Sequence, residues 1–129
     1  MNFASNISIG IVCVLGGLMS ACNKQEGPTI SYSKDIEPIL AASCLECHAN
    51  GGAGQLKSGL SMVTYADLMK GTKFGAIIKP GDSLSSTLVL LIEGKADPSL
   101  KMPHGDRKPL SVEQIKTIKT WINEGAPNN

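Results

Sequence analysis

The pattern of apolar and polar positions predicts a helix near the start of the folded part of the chain. Ile36, Ile39 and Leu40 lie at i, i+3 and i+4, which places them on one face of an α-helix. Pro38 lacks an amide hydrogen and fits only the first turn of a helix. We therefore expect the helix to begin just before this proline, with Asp35 as its N-cap.

The last apolar stretch predicts a helix with defined ends. Ser111 and Gln114 have the spacing of a capping box, and Leu110 and Ile115 flank them as a hydrophobic staple. Gly125 follows as a C-terminal stop signal. The apolar face of this helix carries Ile115, Ile118 and Ile122, with Trp121 beside them. We expect these side chains in the hydrophobic core.

Shorter signals occupy the middle of the chain. Thr64–Lys70 has a T-x-x-D cap and is followed by Gly71, which predicts a short helix. A further amphipathic stretch comprises Leu84, Leu88, Leu91 and Ile92 and ends at Gly94. Asn50–Gly59 is rich in glycine and is expected to be a loop, and the KPGD sequence of Lys79–Asp82 predicts a turn. Only Ala76–Ile78 has an extended character, so we predict an all-α fold of four or so helices.

The first 21 residues of the 129-residue chain differ from the rest because they carry no charged side chain. The apolar run Ile7–Met19 is too short to span a bilayer, and small residues follow it, which is the pattern of an export signal. The stretch LMSAC resembles a bacterial lipobox, which implies a lipid-modified Cys22. We therefore expect a signal peptide at 1–21, a polar tether at 22–31 and one domain at 32–127.

The export signal and the charge balance limit the location and the partners. We expect a periplasmic, membrane-anchored lipoprotein, with the outer membrane mildly favoured because Asn23 follows Cys22. The 12 Lys and Arg residues nearly balance the 11 Asp and Glu residues, which gives a formal net charge of +1. Because nucleic-acid binding requires a basic surface, no nucleic-acid partner is expected.

Two of the four cysteines remain for the folded domain once the signal peptide and the lipid-modified position are set aside. Cys44 and Cys47 are followed directly by His48, and this C-x-x-C-H sequence allows three interpretations. A thiol–disulfide pair gives the histidine no task and is typical of a βαβ context. A zinc site would need these three residues together with His104.

The third interpretation is covalent haem, for which C-x-x-C-H is the attachment sequence. Each thiol would form a thioether with one vinyl group of the porphyrin, and His48 would ligate the iron. This interpretation is favoured because it gives Cys44, Cys47 and His48 a task each and suits an exported protein. One haem c would also stabilise a small exported domain, a class that usually needs a covalent or metal cross-link.

Five stretches occur in an order that resembles the small monohaem cytochrome c-like domains of planctomycetes, which are similar to class I cytochromes c. They are YSKDIEPILAASCLECH, SGLSMVTYADLM, KPGDSLSSTLVLLI, KMPHG and LSVEQIKTIKTWINEGA. The resemblance covers about residues 32–126 and implies that the first and last helices cross, with haem in the cleft. It also implies a methionine as the sixth iron ligand, at the position of Met102. In KMPHG, His104 replaces the family's second proline, so its imidazole is the alternative ligand.

The resemblance implies a carrier of single electrons rather than an enzyme. Two strong axial ligands would leave no open iron position for a substrate, and a His/Met pair raises the potential relative to two histidines. The expected partners are redox proteins of the periplasm or membrane, reached from the lipid anchor. Two alternatives remain: a haem-based sensor or ligand-binding module with a labile sixth ligand, and an accessory haem domain of a larger oxidoreductase complex.

Overall fold

The computed structural model describes residues 28–129 of the chain. Its α-helices are α1 (Glu37–Ser43), α2 (Leu45–His48), α3 (Ala53–Ser58), α4 (Tyr65–Lys70), α5 (Thr87–Ile92) and α6 (Val112–Asn123). A π-helical turn at Tyr32–Ile36 leads into α1, and a 3-10 turn at Pro98–Leu100 lies between α5 and α6. Within this described part no strand forms, and Thr72 and Gly75 make an isolated β-bridge. The all-α fold predicted from the sequence is confirmed.

The first helical segment begins earlier than the sequence predicts. Ser31, not Asp35, is the N-cap, and its hydroxyl accepts from an amide of the following turn at 3.4 Å. The Asp35 carboxylate instead accepts from the Ser31 amide at 2.8 Å. The turn closes with a hydrogen bond from the Glu37 amide to the Tyr32 carbonyl, and Pro38 lies in the first turn of α1, as predicted. The N-cap prediction was wrong because a further turn forms before the proline, in which the Asp35 amide also donates to the Ser31 carbonyl at 2.9 Å.

The glycine-rich stretch 50–59 contains α3, so the prediction of a loop was wrong. The Leu56 amide donates to the Gly52 carbonyl at 2.9 Å, and Gly59 ends the helix with a φ of 77°. A side chain at Gly52 would lie 2.7 Å from the Cys47 carbonyl oxygen, so no larger residue fits there without a shift. Glycine is thus needed here for the close packing of α3 on α2.

The turn predicted at Lys79–Asp82 forms, with an amide-to-carbonyl hydrogen bond of 2.9 Å between its ends. The helix that follows begins at Thr87, whereas the apolar spacing placed Leu84 on its buried face. Asp82 accounts for the difference, because its carbonyl accepts from the Ser86 hydroxyl at 2.8 Å and prolongs the turn. The Leu84 side chain is consequently 72% exposed.

Two helices have the ends that the sequence predicts. The Thr64 hydroxyl caps α4 by accepting from the Asp67 amide at 3.1 Å. At the start of α6, the Ser111 hydroxyl accepts from the Gln114 amide at 3.1 Å, and the Gln114 side chain accepts from the Ser111 amide at 2.8 Å. Gly125 follows α6 with a φ of 96°. These signals are local in sequence, which is why the pattern alone predicts them.

Trp121 of α6 is fully buried and lies beside two tyrosine rings. The Tyr32 ring centroid is 5.7 Å from that of Trp121 and 5.1 Å from that of Tyr65. The Trp121 indole donates to the Pro127 carbonyl at 2.9 Å, and the Tyr65 hydroxyl donates to the Ala126 carbonyl at 2.8 Å. The first helical segment is therefore in contact with α6, and the C-terminal tail closes over this contact.

The predicted signal peptide and Cys22, the predicted site of lipid modification, lie outside the described residues. The described part begins within the predicted tether, where the Thr29 and Ile30 amides donate to the Glu124 carboxylate at 3.0 and 3.1 Å. Of the helices within residues 28–129, none has the length and apolar character needed to cross a membrane.

Candidate haem-binding site

A single helical turn carries the C-x-x-C-H residues. Cys44 lies at the junction of α1 and α2, and its carbonyl accepts from the Cys47 amide at 3.1 Å and from the His48 amide at 3.0 Å. Both thiols are free and half-buried. The turn therefore presents two thiols and one imidazole from adjacent positions of the backbone.

His48 is buried, and a backbone carbonyl holds its ring. Nδ1 lies 3.3 Å from the Leu60 carbonyl oxygen. Because a carbonyl only accepts, Nδ1 carries the proton in this contact, and Nε2 of the neutral ring keeps its lone pair. The Met62 amide donates back to the His48 carbonyl at 2.9 Å. The first contact holds the imidazole in the tautomer in which Nε2 is available as a metal ligand, and the second fixes the backbone of His48 beside the same stretch.

Gly54 of α3 lies against the edge of the His48 ring. A β-carbon at this position would lie 2.7 Å from Cε1 and 2.9 Å from Nε2 of the imidazole. Real β-carbons essentially never approach so closely, so glycine is the residue that leaves the ring in place. The sequence motif did not reveal this role, because the glycines of this stretch predicted only a loop.

The Cys44 thiol does not have the properties of an exchange-active cysteine. Burial, and to a smaller extent the charge of the nearby Cys47, raise the pKa of the Cys44 thiol to about 11. Thiol–disulfide exchange depends on an accessible thiolate, which a group with this pKa does not supply at neutral pH. The surroundings are also helical, whereas the redox motif is typical of a βαβ unit. The thiol–disulfide interpretation is therefore not favoured.

Zinc binding has no support from the arrangement of side chains either. Across residues 28–129, no three His, Cys, Asp or Glu side chains are grouped as a metal site requires. A structural zinc ion takes four such ligands. His104, which the zinc interpretation adds to the cysteine pair, has an exposed side chain.

The two candidate sixth ligands differ in burial. Met102 is half-buried and packs against the same hydrophobic core as Cys44. Its amide donates to the Leu91 carbonyl of α5 at 3.1 Å, which fixes the backbone at this position. His104 is exposed. Of the two, Met102 is the residue that faces the interior of the domain, where a haem iron would be shielded from water.

An ion pair that the sequence did not indicate links the two sides of the site. Arg107 follows the KMPHG stretch, and Glu46 lies between the two cysteines. The Arg107 Nε donates to Glu46 Oε2 at 3.3 Å, while Nη2 donates to Oε1. A single sequence does not indicate which charged residues will pair when they are 61 positions apart, so only the folded chain reveals this contact.

Residues 44–106 match the family model of the planctomycete cytochrome c. The chain carries a cytochrome c-like domain. The matched segment begins at Cys44 and contains Met102 and His104, so it covers both sides of the candidate site. Comparison with curated proteins and with solved structures gives no match. A cytochrome c-like domain is a haem-binding module for electron transfer, and it implies a covalently bound haem c.

The cytochrome c-like domain has residues that fit a haem c. Cys44 and Cys47 offer two free thiols from one helical turn. His48 offers Nε2 on a ring that the Leu60 carbonyl orients through Nδ1. A histidine that ligates a metal usually donates from its other ring nitrogen to such an acceptor. Met102 adds a thioether on an inward-facing side chain. This set of donors matches the chemistry of a His/Met haem.

Proposed function

We propose that this protein is a monohaem c-type cytochrome that carries single electrons and is not an enzyme. Cys44 and Cys47 hold the haem through two thioethers, and His48 and Met102 ligate its iron. The observation that carries the proposal is the 3.3 Å contact between His48 Nδ1 and the Leu60 carbonyl. Because it leaves the Nε2 lone pair free on the same turn as both thiols, one segment can attach the haem and ligate it.

Each residue of the proposed site has a separate task. Cys44 and Cys47 would hold the haem beside α2, and the Leu60 carbonyl keeps the His48 ring in one orientation. Met102 favours the reduced state of the iron more than a second histidine would. Bound haem supplies an iron that gains and loses one electron. With His48 and Met102 as its ligands, the iron would have no open position for a substrate, which supports a carrier rather than a catalyst.

The sequence before the described residues supports a lipid-tethered carrier. The lipobox-like LMSAC stretch ends at Cys22, and the domain is already hydrogen-bonded at Thr29. A tether this short would keep the domain close to the membrane surface. It would raise the local concentration of the domain near redox partners of the periplasm or membrane without tight binding. The outer membrane is the favoured location, because Asn23 follows the lipid-modified position.

Optical spectra of the ferric haem-loaded protein test the ligand assignment. Thioether ligation of ferric iron produces a weak long-wavelength absorption band, and we expect the wild type to show it. Met102→Ala removes the only proposed thioether ligand, so its spectrum should lack the band. His104→Ala is the matched control from the same loop, and it should keep the band.

Two results would contradict the proposal. Absence of the band from the wild type, with a spectrum that changes in His104→Ala and not in Met102→Ala, would reverse the assignment of the sixth ligand. Rapid binding of carbon monoxide to the reduced wild type would show an open or labile position on the iron. That outcome would favour the sensor or ligand-binding alternative over the electron carrier.

A further inference from the structure

The stretch that follows Met102 has almost no hydrogen bonds to the rest of the domain. Within the described part of the chain, the hydrogen bonds of residues 103–110 all come from the Arg107 guanidinium. Two of them go to Glu46 and one, of 3.3 Å, goes to the His104 carbonyl. The next hydrogen bonds are those of Ser111, where α6 begins, and Leu110 just before it is buried in the core. A single side chain therefore provides the polar attachment of this stretch.

The partner of Arg107 lies inside the haem-attachment sequence itself. Glu46 is in α2, one residue before Cys47 and two before His48. Its two carboxylate oxygens accept from two guanidinium nitrogens, which is the paired geometry in which arginine and carboxylate bind most specifically. The third nitrogen holds the His104 carbonyl at the same time. One guanidinium thus joins Arg107 and His104, both in the loop that follows Met102, to the turn that carries His48.

From this arrangement we propose that the Glu46–Arg107 ion pair positions the loop that carries Met102. It holds the loop against the C-x-x-C-H turn and so sets how firmly the Met102 thioether occupies the sixth position of the iron. This inference rests on the proposed function, because it requires a haem ligated by His48 and Met102. Glu46 and Arg107 touch no reacting atom, so they are positioning residues.

The expected effect is modest because both side chains are solvent-exposed. Exposed ion pairs contribute little, so loss of this pair should loosen the Met102 loop about two- to fivefold. An added ligand that competes with Met102 for the iron reports this change directly, because its apparent affinity rises by the same factor. Free imidazole is a suitable competitor for the ferric protein. The loss of the thioether band during the titration measures its binding.

The experiment compares haem-loaded variants by imidazole titration. We expect Glu46→Gln and Arg107→Gln each to raise the apparent imidazole affinity about two- to fivefold. The double exchange Glu46→Arg with Arg107→Glu keeps both charges and should return the affinity towards the wild-type value. Asp82→Asn is the matched control, because it removes one carboxylate from an exposed ion pair with Lys79 on another turn.

The outcomes separate this inference from the proposed function. Wild-type affinity in Glu46→Gln or in Arg107→Gln would overturn the positioning role, as would failure of the double exchange to restore it. An equal rise in Asp82→Asn would show a general effect of charge and would also overturn it. Absence of the thioether band from the wild type before any imidazole is added would instead refute Met102 ligation, and the inference with it. Because Arg107 lies outside the attachment sequence, its variant tests the pair even if a change at Glu46 impairs haem attachment.

Discussion

The contact between His48 Nδ1 and the Leu60 carbonyl decides which ring nitrogen is available to iron. A carbonyl partner also makes the opposite nitrogen a stronger electron donor. Gly54 lies on the other edge of the ring, where even one added carbon would collide with Cε1 and Nε2. At the scale of single residues, the proximal side of the site is therefore shaped by backbone atoms as much as by side chains.

The substitution Gly54→Ala tests this close approach. Gly54 lies in α3, where helix propensity alone would make the alanine variant more stable than the wild type by about 1 kcal/mol. The added β-carbon must displace the His48 ring, and we expect overpacking to reverse the sign, with a net loss of about 1–3 kcal/mol. Urea unfolding of the haem-loaded protein measures the loss. The ferric spectrum should change as well, because the ligand itself moves.

Gly51→Ala is the control for a change of glycine nearby. Gly51 has a φ of 79° and no atom close to its missing β-carbon. Alanine should therefore cost about 1–2 kcal/mol through backbone strain and leave the iron spectrum unchanged. A Gly54→Ala protein that is more stable than the wild type, with an unaltered spectrum, would show that the contact with His48 is unimportant.

The sequence alone predicts the residues that would bind haem better than the groups that orient them. Cys44, Cys47 and His48 follow from a short local motif. The Leu60 carbonyl could not be predicted, because every residue has a carbonyl and only the fold selects one. The same holds for Arg107, whose partner is distant in sequence and is set by how the Met102 loop returns to α2.

At the scale of elements, α6 is held by caps at both ends. The Gly125 amide donates to the Ile122 carbonyl at 3.0 Å, and the Ala126 amide donates to the Trp121 carbonyl at 2.9 Å. This pair of bonds is a Schellman motif, which satisfies carbonyls that the end of a helix leaves free. It also directs the tail back over Trp121, so the cap and the core contact depend on each other.

Ser111→Ala should remove the N-terminal cap of α6. The hydroxyl accepts from the Gln114 amide, and loss of such a cap typically costs about 1 kcal/mol. The midpoint of urea unfolding should fall accordingly. Thr87→Ala is the control, because Thr87 is exposed at the start of α5 and its hydroxyl makes no hydrogen bond within the described residues. Equal midpoints for both variants would show that the cap contributes nothing to stability.

An ion pair between two elements gives a prediction about acid stability. The Lys119 ammonium of α6 lies 2.8 Å from the Glu93 carboxylate at the end of α5, and Lys95 lies 2.7 Å from it. Hydrogen bonds from Lys119 and then Lys95 hold the pKa of Glu93 below its ordinary value of 4.5. Because the folded state has the lower pKa, this contribution is present above pH 4.5 and is lost as the pH falls through the folded value.

Glu93→Gln should therefore be less sensitive to acid than the wild type. At neutral pH the variant should be less stable by up to about 1 kcal/mol, and the difference should shrink as the pH falls below 4.5. Urea unfolding at a series of pH values measures both effects. Asp106→Asn, at an exposed carboxylate without an ion pair in the described residues, should parallel the wild type. A constant difference between Glu93→Gln and the wild type at all pH values would contradict this account.

Elements with local signals were predicted, and those set by contacts between segments were not. The caps of α4 and α6 depend on residues three positions apart, so the sequence contains the whole interaction. The start of α5 depends on how Asp82 prolongs a turn, and α3 forms in a stretch whose glycines allow close packing on α2. Glycine content alone does not distinguish α3 from a loop. Apolar spacing alone does not show that α5 begins at Thr87 and not near Leu84.

At the scale of the whole molecule, the first helical segment, α6 and the C-terminal tail meet around Trp121. The termini of the described part are joined by hydrogen bonds, including one from the Ser33 amide to the Asn129 carbonyl at 3.0 Å. The C-x-x-C-H turn continues directly from α1 and so is part of this closed unit. Haem would stabilise this unit further, because the ligation of its iron by Met102 and the burial of its ring would occur only in the folded state.

The central claim is that Cys44 and Cys47 together hold one haem by covalent bonds. The most direct test is the mass of the denatured protein after production in a host that attaches haem c. We predict that the wild type gains the mass of a single haem, and that Cys44→Ala with Cys47→Ala has the mass of the polypeptide alone. A wild type without the added mass, or a double variant that keeps it, would contradict the account.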